Sequence, residues 1–74
     1  MMRGSKPGLI KKIEPVSVHG QRSLDVHFVD PDDSEGPVSR ARIGPESVPD
    51  DLALGDVVEI HYMLGVVTNI ARRP

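Results

Sequence analysis

Cysteine and tryptophan are absent from this 74-residue chain, and phenylalanine and tyrosine occur once each, as Phe28 and Tyr62. Without cysteine there is no disulfide, no thiolate zinc site and no cysteine nucleophile. The usual staples of very small secreted domains are therefore missing, and a reducing cytoplasm is the expected location. No window approaches the roughly 18 apolar residues of a membrane span. The opening MMRGSKPG has no apolar run after its basic residue, so neither a signal peptide nor a membrane partner is expected. MRGS also matches a common cloning leader. Residues 1–7 are accordingly expected to be a flexible N-terminal segment, in part non-native over Met1 to Ser5, with a single β-barrel domain over 8–72.

A domain this short buries only roughly 60% of the surface its unfolded chain exposes, which leaves little room for an enclosed active-site cavity. The net charge of −2 hides a segregation: residues 1–24 carry five basic and one acidic side chain, 25–59 carry two basic and ten acidic, and 60–74 carry only Arg72 and Arg73. Basic ends flanking an acidic middle can orient an encounter, but a general nucleic-acid binder would be basic overall.

What is present is strand periodicity. In SLDVHFV, Leu24, Val26 and Phe28 share one face and Asp25 and His27 the other, bounded by turn-forming VHGQR and DPDDSEGP. GLIKKIEPV predicts a first strand that Pro15 ends or bulges. PVSRARI predicts a third, with Val38, Arg40 and Arg42 on one face and Ser39, Ala41 and Ile43 on the other. The prolines of GPESVPDDLALGD allow a turn or two of helix, near Pro45 to Val48 or Asp50 to Leu54. A fourth strand over Val57 to Tyr62, a turn at Met63 to Gly65 and a fifth strand over Val66 to Ala71 complete the chain. Five short strands with a helical connector between the third and fourth predict an all-β, OB-fold-like barrel, with an SH3-like barrel as the alternative.

Few stretches point to chemistry. Asp30, Asp32 and Ser34 have the spacing with which a calcium loop begins, but Glu35 and Ala41 stand where its glycine and its bidentate glutamate belong. A solvated acidic hairpin loop is expected instead. His19, His27 and His61 are at no metal-ligand spacing, although His27 and His61 would border a shared surface if the second and fourth strands approach. No nucleophile elbow, phosphate-cradling glycine loop or dinucleotide fingerprint is present, so no enzyme, metal or cofactor is expected.

Barrels of this type often hold single-stranded nucleic acid by combining a basic groove with aromatic platforms. Lys11, Lys12, Arg40, Arg42, Arg72 and Arg73 come from the first, third and fifth strands and are expected to converge into one positive strip. The equal alternative is a set of solvated cations that keep strand edges soluble. The hairpin tip at Tyr62, Met63 and Leu64 is unusually apolar, since Asn-Gly or Asp-Gly is favoured there. It is expected to fold back as a plug over the barrel's open end, or else to serve as a protein-docking surface.

Pro7-Gly8-x-Ile10 with Ile13, and Gly55-Asp56-x-Val58-x-x-His61, resemble the opening and the fourth-strand signature of the small hydrogenase-assembly chaperones, OB-like proteins of similar length. The resemblance implies a protein-docking barrel. That family uses a cysteine beside its initiator methionine to hold an iron-bearing group; this chain has Met2 there, so metal delivery does not carry over.

Overall fold

A computed structural model describes residues 3–73. Met1 and Met2, part of the expected leader, lie outside the described residues. The chain is all-β: strands β1 (Arg3–Val18), β2 (Gln21–Val29), β3 (Ser39–Ile43), β4 (Val57–Met63) and β5 (Val66–Arg72), with one 3₁₀ turn at Pro45–Ser47 between β3 and β4. All pairings are antiparallel, in one sheet ordered β3-β2-β1-β4-β5. Its first four strands, β3-β2-β1-β4, have Greek-key order, three hairpin-linked strands plus a fourth that returns beside the first. The sheet of the expected barrel does not close: β3 and β5 remain edge strands that share no ladder among the described residues.

β1 departs most from expectation. It begins at Arg3 instead of Gly8, because Arg3 to Leu9 pair with β4 while Leu9 to Val18 pair with β2. One long strand thus serves two partners along successive halves, and a register shift between Ile10 and Lys12, with Lys11 as the extra residue, bends it at the changeover. Pro15 neither ends nor bulges the strand; it pairs with Leu24. The β1–β4 ladder stops at Leu9, so Pro15 lies where β1 has a free edge and its missing N–H costs no ladder bond to a second strand.

The two tight hairpin tips, β1–β2 and β4–β5, follow one design. His19-Gly20 (φ 51° and 79°) and Leu64-Gly65 (φ 54° and 79°) are two-residue loops with both central residues left-handed, the type I′ turn whose twist matches that of paired strands.

The concave face carries the core. Ile10, Val26, Phe28, Ala41, Ile43, Val58, Ile60 and Ile70 are buried together, and Val48 and Leu52 of the connector pack over one end beside Ile13 and Leu24. The inward assignments of Val26, Phe28, Ala41 and Ile43 therefore hold, with Leu24 at the margin. No helix among the described residues is long and apolar enough to cross a membrane.

Candidate ligand-binding mouth between β3 and β5

The six cations expected to form one strip do not do so. In the order β3-β2-β1-β4-β5 the first, third and fifth strands are separated by β2 and β4, so no two of them are ladder neighbours. Lys12, Arg40 and Arg42 lie on the β1-β2-β3 side. Arg72 pairs with Val58 five residues beyond Val67, roughly 17 Å farther along β5.

Four of the six are also paired with carboxylates. Arg42 donates to Asp25 through Nε (2.7 Å) and Nη2 (3.0 Å), a bidentate pair directly across the β2–β3 ladder. Arg72 meets Asp51 at 2.8 Å and Asp56 at 3.0 Å and donates to the Asp51 carbonyl at 3.0 Å, tying the connector to β5. Arg73 lies 3.6 Å from Glu59 and Lys12 lies 3.5 Å from Glu14. The hydrogen bonds from Arg42 hold the Asp25 carboxyl below the usual carboxylate range, and those from Arg72 do the same to Asp51. Lys11 and Arg40 have no acidic partner among the described residues.

Asp25, placed by alternation on the solvent face, is only 5% exposed. The guanidinium of Arg42 covers it, and a carboxylate so buried needs such a partner. The histidines do not assemble. His27 sits in register between Lys12 and Arg40, with Nε2 3.7 Å from Glu14 and no hydrogen bond. β1 separates β2 from β4, so His27 and His61 border no common surface, and His19 occupies the other hairpin tip. No group of three or more His, Asp or Glu side chains converges among the described residues. The Asp30–Gly36 loop closes on itself: Asp33 N donates to Asp30 O, Gly36 N to Asp33 O, and Asp32 N to the Asp30 carboxylate.

A different cation occupies the centre of the concave face. Along the upper half of β1, Gly8 abuts Ile60 and Phe28, Gly4 abuts Tyr62, and Lys6, of the same parity, lies between them. Its ammonium stands 5.8 Å from the Phe28 ring centroid and 5.9 Å from that of Tyr62, within cation–π range of both. The flanking glycines let the Ile60, Phe28 and Tyr62 side chains close over β1 on either side of Lys6, and a cleft of about 360 Å³ opens between β3 and the start of β5, lined by Lys6, Phe28, Ser39, Arg40, Tyr62 and Val67. The two cations of this cleft, Lys6 and Arg40, are both exposed, and neither has an acidic partner among the described residues. The strand pattern visible in the sequence begins at Gly8 and leaves Lys6 outside it. The readable signal was Gly4-x-Lys6-x-Gly8, which puts one long cation between two empty positions on a strand face.

The tip does not plug the mouth. Leu64 is 70% exposed and Val66 65%, with Met63 and Tyr62 half-buried. The β4–β5 ladder runs to Met63 opposite Val66, and a two-residue turn in fixed left-handed geometry has no slack to fold back.

Comparison with protein-family models, with curated proteins and with solved structures returns no match.

Proposed function

We propose that this chain is a non-catalytic binding module of the OB type, a partly open Greek-key barrel, that holds single-stranded nucleic acid at the mouth between β3 and β5. The Greek-key order and the position of the 3₁₀ turn between β3 and β4 support the barrel reading over the SH3-like one. The observation that carries the function is the meeting of Lys6 and Arg40 with the rings of Phe28 and Tyr62 in one open cleft. Single-strand binding needs a cation for the phosphate and a π face for the base, and sequence-tolerant stacking supplies roughly 1–3 kcal/mol per base. Tyr62, half-buried, offers the reachable ring; Phe28, 4% exposed, is chiefly a floor for Lys6. Of the six cations first considered, Arg40 belongs to this site, Lys11 remains a candidate outer contact, and Lys12, Arg42, Arg72 and Arg73 serve mainly as partners to carboxylates.

Protein docking through Tyr62, Met63 and Leu64 is a second reading, favoured by the contiguous exposure of Leu64 and Val66 at the tip and by the resemblance to assembly chaperones. Fluorescence anisotropy with a labelled single-stranded oligonucleotide at two salt concentrations separates the two. Phosphate binding weakens steeply with salt because counterions are released. It is expected to be lost in Lys6→Glu/Arg40→Glu and largely kept in Leu64→Asp. No binding of the oligonucleotide at low salt would remove the nucleic-acid reading and leave the docking one.

A further inference from the structure

Resting on the single-strand reading of the mouth, we infer that it receives a phosphorylated end of the strand, not its middle. The mouth is electrostatically open on one side only. Toward the β2–β3 loop it adjoins a second cleft, of about 310 Å³, which shares Lys6, Phe28 and Ser39 with the first and is walled by Asp30 and Asp33. The loop that holds those carboxylates is pinned by its own hydrogen bonds and also carries exposed Asp32 and Glu35, with no basic residue between Val29 and Ser39. A phosphodiester chain running past Lys6 in this direction would bring successive phosphates against the carboxylates of Asp30 and Asp33.

Along the seam in the other direction the lining is Arg40, Ala41, Arg42, Gly65 and Val66, with no carboxylate. A strand entering there passes Arg42, which is paired with Asp25, reaches Arg40, can lay a base on Tyr62, and must stop at Lys6. A terminal phosphomonoester carries about −1.5 to −2 at pH 7, against −1 for an internal phosphodiester. The acidic wall stops the chain, and two cations without acidic partners attract the doubly charged end more strongly than a singly charged link.

The test is a competition assay on the full chain, in which a labelled single-stranded probe is displaced by unlabelled oligonucleotides of one sequence: 5′-phosphorylated, 3′-phosphorylated, unphosphorylated and circularised. Inorganic phosphate runs in parallel. One phosphorylated linear form is expected to compete about tenfold better than the unphosphorylated one, a difference worth one strong contact, with the circle weakest. Asp30→Asn/Asp33→Asn is expected to narrow the gap between circle and linear strand. A circle competing as well as the phosphorylated linear strands would overturn end selection while leaving the single-strand reading intact. A probe that binds at no salt concentration would overturn both. Displacement by inorganic phosphate at equal concentration would replace the strand end with a free phosphate anion.

Discussion

Gly8→Ala tests whether the mouth is built on a close approach of backbone to core. A Cβ at Gly8 would lie 2.7 Å from Ile60 Cγ1, 3.0 Å from Ile60 Cδ1 and 3.3 Å from Phe28 Cδ2. Ordinary carbon contacts fall near 3.5–4.0 Å, so one or both side chains must shift, and Ile60 is 0% and Phe28 4% exposed. Overpacking of this kind costs about 1–3 kcal/mol, offset by about 0.5–1 kcal/mol from restricting the unfolded chain. The net loss is about 1–2 kcal/mol, which for a domain of this size lowers Tm by roughly 5–15 °C. Gly4→Ala is the matched control: it lies on the same strand and face, but its nearest contacts are 3.4 Å away at Tyr62. It is expected to leave Tm unchanged or raise it by a few degrees. Far-ultraviolet circular dichroism during thermal and urea unfolding suits a chain without tryptophan. Gly8→Ala as stable as the wild type, or Gly4→Ala destabilised to the same extent, would refute the close-approach reasoning.

Leu64→Asn places the favoured residue at φ 54° in a type I′ turn. It is expected to gain about 0.5–1 kcal/mol, since a left-handed backbone costs an L-residue roughly 1–2 kcal/mol, and calorimetry would record a higher Tm. Ile60→Ala empties a fully buried position and should cost about 2–5 kcal/mol, a large share of a total on the order of 4–11 kcal/mol, read by urea denaturation. Asp25 and Asp51, held below their ordinary carboxylate pKa by Arg42 and Arg72, stabilise the fold above the unfolded-state value of about 3.9; that contribution is lost as pH falls through the lower folded values. Arg42→Met leaves the buried Asp25 carboxylate without its cation, so acid unfolding followed by circular dichroism is expected to move to higher pH.

β2, β3 and β4 were legible because apolar residues recur at alternate positions along them, and β5 because a two-residue turn joins it to β4. β1 was half hidden, since Gly4, Pro7, Gly8 and Pro15 all read as breakers. Each is tolerated for a tertiary reason: the glycines lie under Tyr62 and Ile60, and Pro7 and Pro15 lie where β1 has only one paired neighbour. The cations were legible as residue types but their partners were not. Arg42 with Asp25 and Arg72 with Asp51 and Asp56 are 16 to 21 residues apart, and only the strand order brings them together. The six cations form no common strip for that reason, and the setting of Lys6 depends on β4, more than fifty residues later in the chain.

Titration of the isotopically labelled protein with a short single-stranded oligonucleotide, followed by amide chemical shifts, tests the binding surface most directly. Shifts clustered at Lys6, Phe28, Arg40, Tyr62 and Gly65 are expected, leaving Arg72, Arg73 and the His19-Gly20 tip unmoved. Shifts centred on Arg72 and Arg73, or none anywhere, would contradict the mouth between β3 and β5 as the site where this protein meets its ligand.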